Sequence, residues 1–385
     1  MIDYKARLAT ARARMAEQNI GLMFLPPGAN LFYLTGLRRH EGDNTDANAY
    51  GDWAVGAYIG LEDSIILTAP RMGGAFFQDE VRDKPWFESV RIIMETEDPT
   101  AVMAEVLKRF SLAGKKVAFD DRAWSKSALD FQKLLPKSSF CLASQITDRM
   151  RMIKEEAALQ LMRHAGVITD KAFQAALKRL KVGVTELEVA TEIDYQMKLA
   201  GAEYTSFVTG VRFTSSSEAA AGTPIARAGG KALAPGDSVT FDFGCVYQGY
   251  CSDFGRSAFV GNPPAEYVKV HNLVLEAQKA GMAAMKAGQI TASQANAIAR
   301  AVIEAEGYGD NFTHRLGHGI GITVHEEPFL DNVNQTVLQA NMTFTVEPSI
   351  RVPGRFSNRV EDVVQVTETG AVSLYGTDHR LYIVD

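Results

Sequence analysis

The sequence predicts an α+β chain of two domains: an open α/β unit over residues 1–145, then a larger unit over residues 146–385 containing an internal duplication. Three observations carry this. A chain of 385 residues exceeds what one ordinary hydrophobic core accommodates. Short apolar runs alternate with helical stretches in the first part, the pattern of an α/β sheet. A helix-start pattern in the second part returns about a hundred residues later, as a duplicated supersecondary unit would.

Taken in order, residues 1–18 (MIDYKARLATARARMAEQ) form a mixed-charge amphipathic helix pattern without the apolar centre of a secretory leader. GLMFL (21–25) and DSIILTA (63–69) read as strands, the first stopped by Pro26, Pro27 and Gly28. Residues 101–110 read as an amphipathic helix and KKVAFD (115–120) as a further strand. A polar insertion occupies residues 40–52. Its Asp43, Asp46 and Asp52 lack the spacing of a calcium loop, so it reads as a solvated surface loop.

A long helical pattern from near Asp148, including residues 153–178, opens the second domain. Thr185 and Glu188 have the spacing of a capping box, in which each side chain satisfies an orphan backbone donor at a helix start. Lys181-Val182-Gly183 ahead of Thr185 is echoed by Lys286-Ala287-Gly288 ahead of Thr291, whose box partner is Gln294. Both helices then lead through glycine-containing turns to segments holding Phe207 and Phe312. Two similar halves facing one another enclose a cleft.

Composition narrows the function. An apolar fraction of 46% and a charged fraction of 22% are those of an ordinary globular protein. The formal charge of -6 comes without the basic clustering of a nucleic-acid binder. No run approaches the roughly 18 apolar residues of a membrane span. Cys141, Cys245 and Cys251 cannot build a disulfide framework, and their number suits a reducing compartment, so the cytoplasm is the expected location.

The chemistry concentrates in the second domain. TFDFGCVYQGYCSDFGRSAF (240–259) reads as a hairpin broken near Gln248-Gly249. Pairing about a turn near residues 247 and 248 sets Asp242 opposite Asp253 on one face. Two carboxylates at ~4 Å repel by about 4 kcal/mol at an effective dielectric near 20. A shared metal offsets that repulsion if further ligands exist. NFTHRLGHGIGITVHEEP (311–328) supplies His314, His318 and His325, and Gly317, Gly319 and Gly321 argue for a strand there rather than a helix. TFTVEPSI (343–350) and NRVEDVVQV (358–366) are strongly β-forming and embed Glu347 and Glu361. Glutamates within apolar strands need a partner. Four carboxylates and an imidazole suit two divalent cations such as manganese, cobalt, iron or zinc. A water held between two such cations is acidified, so the expected reaction is attack of the resulting hydroxide on a polarised carbonyl.

The motifs DFGCVYQGYCSDFGRS, HRLGHGIG followed by VHEEP, FTVEP and RVEDVV, with ANLFYLTGL near residue 30 and RMIKEEAALQLMRHAG (151–166), resemble the pita-bread metallohydrolases over nearly the whole length. That family includes prolidase, aminopeptidase P and methionine aminopeptidase, with creatinase as a metal-free cousin. The resemblance implies a creatinase-like N-terminal domain before a pita-bread domain with pseudo-two-fold symmetry. It also implies that Asp242, Asp253, His318, Glu347 and Glu361 are the metal ligands, with manganese the first expectation. Glu347 is further implied as general base, His325 as the histidine that binds substrate and stabilises the tetrahedral intermediate, and His314 as a second active-site histidine. Arg359 matches the substrate-binding or supporting arginine of aminopeptidase P. A homodimer is implied, with residues 40–53 shaping the substrate end of the site. The chain departs from the peptidase pattern at two places. The stretch after residues 208–211, FTSSSEAAAGTP (213–224), holds no histidine, and residues 329–346 lack the arginine with which dipeptidases grip a free carboxylate.

The expected function is hydrolysis of short peptides or peptide-like amides of the Xaa-Pro type. The alternative keeps the metal site and changes the substrate to a small metabolite, as in ectoine hydrolase or, less well matched at Gly244, dimethylsulfoniopropionate lyase. A non-catalytic binding module of the same fold would have lost ligands that are all present here. Cys245 and Cys251 have no CxxC spacing or neighbouring histidine and read as small core residues. Ser215, Ser216 and Ser217 lack a nucleophile elbow. The glycines at 317, 319 and 321 lack the strand-to-helix context of a nucleotide fingerprint. Tyr247 and Tyr250 either line the cleft or fill the hairpin face.

Overall fold

The first helix, Tyr4–Glu17, begins where the Asp3 carboxylate accepts a hydrogen bond from the Ala6 amide, which satisfies a donor that a helix start leaves open. It buries Leu8, Ala11 and Met15. In the computed structural model, residues 1–38, 50–62, 64–215 and 227–384 are described. The chain separates into two units, Met1–Arg151 and Met152–Asp385.

The first unit is a mixed six-stranded sheet. Its strands are β1 (Ile20–Leu25), β2 (Gly56–Gly60), β3 (Ile65–Pro70), β4 (Phe87–Ile93), β5 (Lys116–Phe119) and β6 (Ser139–Leu142), in the order β4-β3-β2-β1-β5-β6. β1 runs antiparallel to β2 and parallel to β5. The helices Pro99–Leu107 and Ser125–Leu134 bury Val102, Met103 and Phe131 with Phe24 and Tyr58 of the sheet. The expected strands at 21–25, 63–69 and 115–120 and the helix at 101–110 correspond to β1, β3, β5 and Pro99–Leu107. Most of the polar insertion, with Asp43 and Asp46, lies outside the described residues; Asp52 opens a short 3₁₀ turn, Asp52–Ala54.

The helical pattern expected from Asp148 onward is two helices, Ser144–Arg151 and Glu156–Arg179. The break has a backbone cause. Ile153 makes a β-bridge to Met342, and the Lys154 amide donates to the Asn341 carbonyl at 3.0 Å, so these residues cannot also complete a helical turn.

In the second unit the duplication is visible bond by bond. Helix Glu186–Leu199 is capped by Thr185 and Glu188, and helix Ala292–Ala305 by Thr291 and Gln294, both as complete capping boxes. Ahead of each cap a left-handed glycine donates to a leucine carbonyl: Gly183 to Leu233 at 2.8 Å, and Gly288 to Leu338 at 2.7 Å. Each cap threonine then bridges to the residue before that leucine, Thr185 to Ala232 and Thr291 to Val337. Each half has its own core, one around Phe173, Phe241 and Phe254, the other around Tyr267, Phe312 and Phe344. The cleft therefore lies where polar strand ends of two independently packed halves meet.

The strands of this unit are β7 (Tyr204–Thr205), β8 (Gly210–Thr214), β9 (Ser238–Phe243), β10 (Cys245–Tyr247), β11 (Tyr250–Cys251), β12 (Phe254–Val260), β13 (Gly317–Gly319), β14 (Glu326–Leu330), β15 (Thr343–Val346), β16 (Ser349–Val352), β17 (Phe356–Arg359), β18 (Asp362–Thr367), β19 (Gly370–Ser373) and β20 (Tyr382–Val384). The first half contributes the order β20-β12-β9-β8 and the second β14-β13-β15-β18-β19, with smaller sheets β11-β10-β7 and β16-β17. No described helix is long and apolar enough to cross a membrane.

Candidate metal centre

Asp242 stands on β9, Asp253 just before β12, His318 on β13, Glu347 just after β15, and Glu361 between β17 and β18. The hairpin register corrects one expectation. Gln248 and Gly249, both at positive φ, form the turn, so Tyr247 pairs with Tyr250 and Asp242 with Gly255 rather than Asp253. The turn sits one residue later than expected, which shifts the pairing by two positions. A two-residue shift preserves the face, because side chains alternate with period two, and Asp253 stays on the side of Asp242 as its diagonal neighbour. Glu361 joins them through a backbone bridge with Gly255, its amide donating to the Gly255 carbonyl at 2.9 Å. A Cβ at position 255 would come within 2.7 Å of the Glu361 carboxylate, so the close approach requires glycine.

These side chains open onto a cleft of about 320 Å³ lined also by Phe207, Arg227, His314, Arg315, Val324, His325 and Arg359. Every site residue expected from the sequence lines it. Carboxylate oxygens of Asp242, Asp253 and Glu361, one from each, all lie within 4.8 Å of one another, a grouping that could hold a metal ion. His318 and Glu347 stand beside that cluster: His318 Nε2 is 3.6 Å from Asp253 Oδ2 and 3.5 Å from Glu347 Oε1. The His318 Nδ1 faces the Gly319 carbonyl at 3.1 Å, which assigns the proton to Nδ1 and leaves the Nε2 lone pair aimed at the acids.

Burial pushes the carboxyls of Asp253 and Glu361 well above the usual carboxylate range, and the charges of neighbouring acids push them further. Glu347 is raised by burial too, with Arg359 opposing. The histidines move the other way. Burial lowers His318 to about 3, with His325 adding to the effect, and lowers His314 to about 4, with Arg359 adding. His325 is also lowered by burial, then by Arg315. The imidazoles are thus neutral near pH 7, the state in which a ring nitrogen ligates or accepts.

Whether the residues fit a metal can be read from one atom. Asp253 Oδ1 is buried and has no hydrogen-bond partner, although buried polar atoms are almost always paired. An oxygen so placed, within a cluster of acids and under a neutral imidazole, fits a divalent cation.

Surrounding residues position the set. Thr345 accepts from the His318 amide at 3.0 Å and donates to Glu347 Oε1 at 3.2 Å. The Tyr375 hydroxyl donates to the Asp253 carbonyl and accepts from its amide at 3.0 Å. Arg359 reaches Asp242 at 2.8 Å, Glu361 at 3.5 Å and Glu347 at 3.6 Å. Arg256, wholly buried, donates to the Glu361 carbonyl at 2.7 Å and to Asp362 at 2.8 Å, and Asp362 in turn holds His379 at 2.6 Å. Lys154 and Glu326 form a buried pair at 3.3 Å beside His325, whose ring packs edge-on against His318 at 4.1 Å. His314 is engaged at both nitrogens, Nδ1 with the Arg315 carbonyl at 2.7 Å and Nε2 with the Ser349 hydroxyl at 2.5 Å.

Tyr375, Arg256, Arg227, Arg315 and Lys154 were not singled out from the sequence. Arg256 had the same signal as Glu361, a charge inside an apolar strand segment. Tyr247 and Tyr250 resolve as hairpin-face residues: Tyr250 is buried, and Tyr247 stacks on His164 at 4.1 Å. Cys245 and Cys251 are buried, Cys245 Sγ facing the Ala165 carbonyl at 3.6 Å and Cys251 Sγ the Ile322 carbonyl at 3.3 Å. Ser215 donates to Asp237 at 2.5 Å, and Ser216 and Ser217 lie outside the described residues.

Residues 160–368 match metallopeptidase family M24, and residues 7–153 match the creatinase/prolidase N-terminal domain. The chain is 32% identical to YkvY of Bacillus subtilis over 96% of its own length and 97% of that protein. It is 38% identical to the Xaa-Pro dipeptidase of Pyrococcus furiosus over 60% of its length and 65% of that enzyme. Among solved structures, a recombinant prolidase from Thermococcus sibiricus superposes with a TM-score of 0.87 at 30% identity, both chains covered in full. The X-Pro aminopeptidase of Thermotoga maritima gives 0.83 at 28% identity, again with both covered in full.

The carboxyl shifts make a prediction about protons. Asp253, Glu347 and Glu361 titrate higher in the metal-free fold than in the unfolded chain, where they return to their ordinary values. The metal-free fold therefore keeps protons that the unfolded chain has lost, and these groups make it less stable as pH rises through that window. Cations displace those protons. Titration of metal-free protein with Mn²⁺ at pH 6–7, in buffers of differing ionisation enthalpy, should show net proton release, and the metal-induced rise in Tm should grow with pH. Uptake without proton release would contradict this account.

Proposed function

Because the chain belongs to metallopeptidase family M24 and carries a creatinase/prolidase N-terminal domain, we propose that it is a dinuclear-metal-dependent hydrolase of short peptides, with Xaa-Pro dipeptides as its substrate class. The observation that carries this reading is the cluster of Asp242, Asp253 and Glu361 oxygens with its orphaned Asp253 Oδ1. We assign Asp242, Asp253, His318, Glu347 and Glu361 as ligands of two divalent cations, manganese first, with cobalt, zinc or iron as alternatives. Such cations supply Lewis-acid polarisation of the scissile carbonyl and an acidified water.

The protein's own groups do the rest. Glu347 takes the proton of the attacking water, its Oε1 held in place by the Thr345 hydroxyl at 3.2 Å. His325, neutral and on the cleft wall, binds substrate and donates its N–H to the oxygen on which negative charge develops. Arg359 neutralises part of the acid cluster and faces substrate over the same wall. His314 spends both ring nitrogens on Ser349 and the Arg315 carbonyl, so its contribution is to shape the wall unless Ser349 turns away.

A second reading, a small non-peptide amide as substrate, draws on the two departures from the peptidase pattern: no histidine in residues 213–224 and no arginine or lysine in 329–346. The lyase variant of that reading is disfavoured. A Cβ at position 244 would lie 2.0 Å from the Ser252 carbonyl oxygen, leaving no space for an added carboxylate. We also place the enzyme in the cytoplasm, whose reducing conditions suit three cysteines that form no disulfide among the described residues.

Mn²⁺-loaded protein should hydrolyse Xaa-Pro dipeptides, and Glu347→Ala should lower kcat by about 10²–10⁴-fold, the usual worth of a general base. Stoichiometric metal uptake without any peptide turnover would transfer the assignment to a non-peptide amide. The family resemblance further predicts a homodimer, and light scattering on eluted protein should give twice the chain mass; a monomer would contradict it.

A further inference from the structure

The three histidines of the cleft differ in how their rings are held. His314 engages partners at both ring nitrogens, and His318 at Nδ1, as described above. The His325 ring makes no hydrogen bond among the described residues, and this exposed residue meets His318 edge-on at 4.1 Å. Such a ring is placed only as well as its backbone and neighbours place it.

The backbone beside His325 is held by residues that ligate no metal. Residues 320–325 join β13 to β14, and Gly319 at one end pairs with Glu326 at the other. The Glu326 carboxylate turns back into this loop. Its Oε1 accepts from the Thr323 amide at 2.9 Å, and the Thr323 hydroxyl donates to the His325 carbonyl at 2.9 Å. Its Oε2 lies 3.3 Å from Lys154 Nζ, with both side chains only 4% exposed. A Cβ at position 321 would lie 2.9 Å from Glu326 Oε2 and from Lys154 Cε, so glycine makes room for the pair. The Gly321 carbonyl also accepts from the Cys251 amide at 2.7 Å, which ties the loop to the hairpin of β10 and β11.

Stability alone is a weak reason for such a pair. Two desolvated charges cost about as much as their attraction returns, and well-packed apolar groups often serve a fold as well. What the pair supplies is direction: a carboxylate with a fixed counter-ion holds the Thr323 amide, and with it the turn, in one geometry. That geometry ends at the carbonyl of the histidine that faces the cleft.

We propose that Thr323 and Glu326, with Lys154 as counter-ion, are positioning residues that hold the His325 ring at its place on the cleft wall. The proposal rests on the peptidase reading, in which that ring meets the oxygen where negative charge develops.

The test is a double-mutant cycle on Mn²⁺-loaded full-length protein with Ala-Pro as substrate. Thr323→Val removes the hydroxyl bond to His325 and leaves the Lys154 charge paired, while Glu326→Gln removes the carboxylate. Each is made alone and together with His325→Ala. Alone, each should lower kcat/KM by about 10–100-fold, the order of loss that a small misplacement near the chemistry produces. Combined with His325→Ala, each should add less than about 2-fold, because a group acting through His325 has nothing left to act on. Thr323→Ser keeps the hydroxyl and should restore most of the activity. Equal losses with and without His325 would overturn the positioning role in favour of a general structural one, and Thr323→Val decides the matter if Glu326→Gln does not fold. Crystal structures of the single variants give a readout without turnover: the His325 ring should leave its edge contact with His318, while His314 keeps its bond to Ser349. A His325 ring unmoved in every variant that folds would overturn the proposal. If His325→Ala costs nothing, or the unaltered chain hydrolyses no peptide, the peptidase reading fails by itself, and the ring positions in the crystals still decide the role of Thr323 and Glu326.

Discussion

Asp242, Asp253, Glu347 and Glu361 are brought into one cleft, three of them buried, and like charges at such separations repel by about 4 kcal/mol per pair at an effective dielectric near 20. A fold that pays this penalty must offset it, and the supporting structure is arranged to do so. Arg359 reaches three of the four acids. Without cations the remaining repulsion is relieved by protons, which is why burial and neighbouring charge push Asp253 and Glu361 upward. With cations the same oxygens become ligands, and Asp253 Oδ1 acquires the partner it lacks within the protein.

Rigid placement comes from the backbone around the acids. The Gly255–Glu361 bridge couples a strand of the first half to a corner of the second, and Arg256 clamps that corner through the Glu361 carbonyl and Asp362. Removing one partner of such a wholly buried pair leaves an uncompensated charge, which costs about 3–5 kcal/mol. Thr345 and Tyr375 fix Glu347 and Asp253 in the same manner with neutral hydrogen bonds. Each half closes its own core, so the acids can occupy the seam without interrupting either one.

Much of this was legible in the residues because its causes are local. Capping boxes at Thr185 and Thr291 are short-range patterns and appear as expected. Glu347 and Glu361 announce themselves by interrupting apolar strand sequence, and the glycines around His318 do form a strand. What was not legible depends on distant partners. β2 is a short segment bounded by glycines that was not assigned as a strand; its pairing with β1 and β3 defines it. The break between the helices at 144–151 and 156–179 is set by residues 341 and 342, nearly two hundred positions away in sequence. The hairpin centre was displaced by one residue because Gln248 accepts a positive φ that its side chain does not advertise. Tyr375 carries no sequence signal of its role, which is defined by what the fold places opposite it.

The central claim is that Asp242, Asp253, His318, Glu347 and Glu361 together hold two divalent cations. The most direct measurement is a crystal structure of Mn²⁺-soaked protein with data collected at the manganese absorption edge. The account predicts two anomalous peaks about 3.5–4 Å apart, the usual separation in two-metal sites, with Asp253 Oδ1 a direct ligand of one of them. Anomalous peaks elsewhere in the molecule, or a loaded crystal in which Asp253 Oδ1 stays without a partner, would contradict it.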